Sequence, residues 1–372
     1  MVNEDGCMII REIPMRRVLL ILILLVLLSL SCRLGGLLYP TVPAAASLQP
    51  ISTETPTAFV PVPPSATAPP TPTGTATPTP TPTATTTLPP TITPNPPPPG
   101  SMLKDVTYCT AEGVDLKMDL YYPARISGPL PVAVYIHGGG WITGDKEKAD
   151  RSLEGKAALA QDYLLVALDY RLAPKYRFPA MIEDVKCAIR SLRAHAADFG
   201  LDAGRIGVWG ASAGGHLAAL LGTTDEIAGY DVGQYLEQSS RVQAVVDLYG
   251  PADLMLPMSR DVNDMVHDAF GTNDPQAPVL VLGSPVTWVS ADDPPFLILH
   301  GDSDSLVPLR QSQELFERLV AAGVPAELVV VTNGEHGFGG EDLQPGRAAL
   351  VQRMVEFFDR YLKGQQEVKL PI

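Results

Sequence analysis

The chain carries 372 residues, 37 prolines, four cysteines and a net charge of −14. Its acidic balance disfavours nucleic acid and anionic lipid surfaces as partners. No C-x-x-C or mixed Cys/His spacing is present, so no metal site is expected.

Residues 1–39 read as an export signal or membrane anchor. Arg16 and Arg17 precede an almost unbroken aliphatic run over 18–30, which is short for a membrane span of about 20 residues and suits the apolar core of a signal. Three ways of processing stay open. Cys32 follows Leu30-Ser31 as in a bacterial lipoprotein cleavage site, although Ser29 stands where that site favours an aliphatic residue. Ala44-Ala45-Ala46 offers an A-x-A site, and an uncleaved anchor would run on through Leu34 and Tyr39. Between residues 40 and 100 there are 20 prolines and 17 threonines, with Glu54 as the one charge. Such a segment cannot bury a core and is expected to be a disordered, extended stalk. Tethering to the outer face of a membrane, or else secretion, is the expected fate.

Residues 101–372 carry the fold. Val106-Thr107-Tyr108-Cys109-Thr110, then Leu116, Met118 and Leu120, alternate with polar residues and predict a β-hairpin. From Pro131 onward, short apolar runs at 132–136, 164–168, 206–209, 244–248, 296–299 and 328–331 read as strands buried on both faces. Helical patterns at 146–161, 179–197, 213–221, 309–322 and 347–362 separate them. The alternation predicts an α/β fold with a mostly parallel sheet of about eight strands, helices on both faces and an antiparallel start. Residues 250–295 hold Met255, Met258, Met265, Phe270 and Trp288 and no clear strand, so they are expected to be either a lid or substrate wall or a helical insertion. Cys109 and Cys187 either pair or remain free thiols.

Chemistry gathers at the carboxyl ends of these strands. Gly210-Ala211-Ser212-Ala213-Gly214 lies between an apolar strand and a helix-forming run, the G-x-S-x-G pattern of a nucleophile elbow. A serine hydroxyl needs a base, an orienting acid and donors for the oxyanion. His336, in Glu335-His336-Gly337-Phe338 after the last apolar strand, is the expected base. Asp302 and Asp304 compete for the acid. Asp304 is preferred, because it lies farther out over the strand edge, with Asp302 bracing the loop. After 132–136 comes His137-Gly138-Gly139-Gly140-Trp141, where amides of Gly138 and Gly139, with Gly140 as a further candidate, are expected to form an oxyanion hole with Ala213. No G-K-[ST] follows, which argues against a phosphate loop.

These stretches, with Asp169-Tyr170-Arg171-Leu172-Ala173-Pro174 and the 300–308 segment, resemble the HGGG-type carboxylesterase branch of the α/β-hydrolases. That branch includes hormone-sensitive-lipase-like esterases and feruloyl- or acetyl-esterase-like proteins. The resemblance implies serine ester hydrolysis through an acyl-enzyme, with Ser212, Asp304 and His336 as triad and no cofactor. Hormone-sensitive-lipase-like members usually carry an N-terminal helical cap. Here a hairpin leads almost directly into the glycine loop, closer to the feruloyl/acetyl-esterase-like group, so short acyl esters, including those of carbohydrates, are the expected substrates. Two alternatives remain. A prolyl-oligopeptidase-like peptidase would need a propeller-length N-terminal region, and a non-catalytic surface module would typically lack a triad member. Among the other polar residues, His137 is expected to brace the glycine loop and His216 to pack. Asp184 either ties loops together or stays solvated. Trp209 is expected to pack, Trp141 either packs or lines the acyl pocket, and Asp247, inside an apolar strand, requires a partner.

Overall fold

The computed structural model describes residues 97–147 and 149–364. The export segment and the Pro/Thr segment through residue 96 lie outside the described residues. Eight strands form one sheet: β1 (Met102–Ala111), β2 (Val114–Tyr121), β3 (Leu130–Ile136), β4 (Leu164–Leu168), β5 (Leu201–Ala211), β6 (Ala244–Leu248), β7 (Phe296–Gly301) and β8 (Ala326–Val331), in the order β1-β2-β4-β3-β5-β6-β7-β8. β1 pairs antiparallel with β2, and β2 antiparallel with β4. All later neighbours are parallel. This is the eight-stranded, mostly parallel sheet expected from the apolar runs.

The helices are α1 (Leu153–Ala160), α2 (Ala180–Ala194), α3 (Ala196–Phe199), α4 (Ala213–Thr223), α5 (Arg260–Phe270), α6 (Pro278–Gly283), α7 (Pro285–Trp288), α8 (Arg310–Ala321) and α9 (Arg347–Lys363). Residues 250–295 are therefore a helical insertion carrying α5, α6 and α7. The expected helix over 146–161 starts only at Leu153. Its would-be first turn is pulled away because Lys146 is buried, with its ammonium 2.7 Å from Asp105 and 3.2 Å from Asp119. Ser152 instead caps α1, accepting from the amide of Gly155 at 2.9 Å.

Alternation along the central strands makes two cores. Val132, Val134, Ile136, Val166, Val208 and Ile298 face one side, where α2, α4 and α8 pack; Ala133, Ala167, Trp209, Val246 and Leu299 face the other, against α1 and α9. Full burial on both faces explains why these strands read as continuous apolar runs, each buried large aliphatic residue contributing about 1.5–3 kcal/mol. Cys109 of β1 and Cys187 of α2 form a disulfide, with Cα atoms 6.4 Å apart and a sequence separation of 78. Closing a loop of that length stabilises by about 4 kcal/mol in the chain-entropy picture.

Asp247, in the middle of the sheet, is fully buried. Its Oδ1 accepts from the amide of Gly250 at 2.9 Å, while Oδ2 has no partner among the described residues. Burial pushes its pKa up to about 6, opposed by the Gly250 amide. A carboxyl raised on folding holds its proton in the native state at pH values where the unfolded chain, near 3.9, has already released it. The associated stability is therefore complete below pH 4 and lost as pH rises through about 6, on the order of 3 kcal/mol at about 1.4 kcal/mol per pKa unit. Asp247→Asn should flatten that slope. Urea midpoints measured from pH 4.5 to 8 should show the wild type losing stability relative to the asparagine variant. A constant difference would refute it.

Candidate active site

β5 ends at the elbow. Ser212 has φ 56° and ψ −121°, a conformation that bulky neighbours would not permit. A Cβ on Gly210 would lie 2.1 Å from the carbonyl oxygen of Gly214, and one on Gly214 2.1 Å from that of Ile136. Both glycines of the pattern are thus enforced by backbone, and α4 starts at once behind the serine. The amide of Ser212 donates to the carbonyl of Leu248 at 2.9 Å, fixing the elbow to the end of β6.

The structure brings Ser212, His336 and Asp304 together. His336 Nε2 lies 3.0 Å from Ser212 Oγ, and Nδ1 lies 2.7 Å from Asp304 Oδ2. A carboxylate can only accept, so the imidazole proton belongs on Nδ1, and Nε2 is left to accept the serine hydroxyl. Asp304 is saturated. Its Oδ1 accepts the amides of Leu306 and Val307, both at 2.9 Å, and buried His300 places Nε2 3.4 Å from Oδ2. Burial alone would raise this carboxyl, but hydrogen bonds from His300, His336 and Val307 outweigh it and hold Asp304 well below the ordinary carboxylate range. Asp302 braces the loop, its Oδ1 accepting from the amide of Asn333 at 2.9 Å.

The glycine loop crosses directly over the elbow. A Cβ on Gly138 would lie 2.6 Å from the carbonyl oxygen of Ala211 and 3.5 Å from Cβ of Ser212. Gly139, at φ 114°, uses its carbonyl to accept from Ile142 and Thr143. Gly140 lies against Met265 of α5. Ala213 opens α4, where an amide has no intrahelical partner. Among the described residues, none of the four amides, Gly138, Gly139, Gly140 or Ala213, donates to a backbone carbonyl outside the regular elements.

The loop is held from behind. His137 is buried, its Nδ1–H donates to the carbonyl of Gly138 at 2.8 Å, and its ring stacks on Tyr170 at 4.3 Å. Tyr170 donates its hydroxyl to the carbonyl of His137 at 3.0 Å. Asp184 ties the adjacent segment, accepting from the amide of Arg171 at 2.8 Å and from its guanidinium. His216 packs in the core: Trp141 donates its indole N–H to His216 Nδ1 at 3.2 Å, and Phe270 of α5 meets the edges of both rings. His300, Tyr170 and Met265 stand in stretches the sequence singled out, 300–308, 169–174 and 250–295, without a role assigned to them, and Tyr249, directly after β6, left no signal.

A BD-FAE family model matches residues 118–319, more than half of the chain. The chain belongs to the BD-FAE family. The matched stretch includes Ser212 and Asp304 and ends before His336. Esterase LipC of Mycobacterium tuberculosis is 36% identical over 202 residues, 52% of this chain and 49% of that protein. The chain thus spans about half the length of the curated relatives it matches. Among solved structures, a truncated form of a carbohydrate esterase from gut microbiota superposes with a TM-score of 0.62 at 28% identity, covering 71% of this chain and 96% of that one. Esterase Est2 of Thermogutta terrifontis with propionate bound gives 0.58 at 26%, covering 70% and 94%. The fold is that of an α/β-hydrolase.

Proposed function

We propose that this BD-FAE protein is a serine carboxylesterase. The observation that carries the reading is the Ser212–His336–Asp304 relay, at 3.0 and 2.7 Å, on the loops that follow β5, β8 and β7 of the parallel sheet. Ser212 Oγ attacks the ester carbonyl carbon while His336 Nε2 takes the hydroxyl proton. Asp304 holds the imidazole in the Nδ1–H tautomer and stabilises its cation. Negative charge moves onto the carbonyl oxygen, where the amides of Gly138, Gly139 and Ala213, with Gly140 beside them, receive it. As the tetrahedral intermediate collapses, the alkoxide leaves and takes its proton from His336, with the acyl group on Ser212. Water then repeats the two steps, giving the carboxylic acid and free Ser212.

Short acyl chains are the proposed substrates, a reading supported by the bulk that α5 sets beside the glycine loop, with Met265 on Gly140 and Phe270 on Trp141. Acetyl or feruloyl esters of carbohydrate fit this reading, supported by the carbohydrate esterase among the structural relatives. Export, with a tether through the N-terminal segment, is supported by the basic-then-aliphatic run at 16–30 and by the disulfide, a bond suited to oxidising compartments. The test is turnover of p-nitrophenyl acetate, butyrate and decanoate by the full chain. Activity that falls with acyl length is expected. Equal or rising rates to decanoate would refute the short-chain assignment, and no turnover of any ester would refute the function.

A further inference from the structure

Tyr249 follows β6 in a left-handed conformation, φ 46°, which a bulky aromatic residue adopts only where its surroundings impose it. Those surroundings are the site itself. The preceding carbonyl, of Leu248, accepts the amide of Ser212; the amide of Tyr249 donates to Leu299 of β7, the strand that leads to Asp304; and the following amide, of Gly250, is captured by buried Asp247. Pinned on three sides, the backbone turns the ring outward. The ring meets His336 in a T-shaped contact, centroids 4.8 Å apart, and meets Phe338 at 4.9 Å.

The segment carrying His336 needs such a contact. It is a single turn, with Gly337 at φ 77° and Phe338 at φ 54°, closed by the amide of Phe338 on the carbonyl of Glu335. Phe338 is its buried anchor, and the His336 side chain is one-fifth exposed. The imidazole is otherwise fixed by two hydrogen bonds, and one of them, to Ser212, is lost whenever the serine oxygen carries an acyl group. The Tyr249 contact does not involve the serine oxygen.

We infer that Tyr249 is the positioning residue for His336, its strained backbone aiming a ring that holds the imidazole in register while the bond to Ser212 is absent. This rests on the esterase reading for its kinetic part only. The test compares Tyr249→Phe and Tyr249→Leu in the full chain on p-nitrophenyl acetate, with nitrogen-detected NMR of the His336 ring. The leucine variant should lose at least about 10-fold in kcat with KM within about twofold, and its His336 signals should broaden. The phenylalanine variant, which keeps the ring, should stay within about twofold in both and keep sharp signals. A leucine variant with wild-type kcat and sharp His336 signals would overturn the inference, as would a phenylalanine variant impaired as far as leucine. Should the wild type turn over no ester, the esterase reading falls, and the His336 line widths still decide the role of Tyr249.

Discussion

Replacing Ser212 with alanine is expected to lower kcat/KM for p-nitrophenyl acetate by at least about 10⁴-fold. The size follows from the geometry. His336 Nε2 has the serine hydroxyl as its partner at 3.0 Å, and the glycine loop crosses so near the elbow that a Cβ on Gly138 would lie 3.5 Å from Ser212 Cβ. The base acts on the serine hydroxyl, the acid acts through the base, and the amides face the oxyanion that the attack creates, and groups acting as a unit lose nearly all their joint effect when one is removed. Residual hydrolysis from the amides and from binding is expected to remain above the rate in water. The fold should be untouched, because the alanine loses one hydroxyl and the elbow conformation is held by the Ser212 amide and by Gly210 and Gly214. A loss smaller than about 100-fold would mean that ester turnover runs elsewhere.

Asp304→Asn is expected to cost about 10³- to 10⁴-fold in kcat, while Asp302→Asn costs no more than about threefold. Asp304 receives donors at both oxygens: two amides on Oδ1, and His336 with His300 nearby on Oδ2. An asparagine must keep its single oxygen on the amides and turn its NH₂ toward His336. The imidazole then accepts at Nδ1 and carries its proton on Nε2, the tautomer that cannot take a proton from serine. Asp302 serves one amide and the neighbouring serine hydroxyl through Oδ1, a role an asparagine oxygen fills equally well. Steady-state kinetics on both variants, with melting curves to show that each is folded, separates the two aspartates. Equal losses in both would remove the distinction.

Much of this was legible because the chemistry and the fold share one pattern. The central strands are buried on both faces, so their apolar runs stand out, whereas β8, at the sheet edge, is only half-buried and is not the doubly buried strand its run 328–331 suggested; each chemical residue still lies on the loop after such a run: Gly138 after β3, Ser212 after β5, Asp304 after β7, His336 after β8. What the pattern could not convey is pairing between distant segments. Lys146 is an ordinary helix former by propensity, and only its burial among Asp105 and Asp119, from the hairpin, takes it out of the helix. Cys109 and Cys187 meet because α2 packs on β1, a contact with no local signature. Residues 250–295 hide three short helices behind prolines and methionines, and the position of α5 over the glycine loop depends on Gly140 admitting Met265. Tyr249 was invisible for the same reason: nothing in Leu248-Tyr249-Gly250 announces a left-handed tyrosine or its neighbour His336.

The central claim, that Ser212 carries the acyl group, is tested most directly by quenching the full chain in acid during the first turnover of p-nitrophenyl butyrate and mapping the peptides by mass spectrometry. One butyryl group on the peptide containing Ser212, absent in Ser212→Ala, is the result expected. A released product with no acylated peptide, or an acyl group on another residue that forms and decays at the rate of turnover, would contradict it.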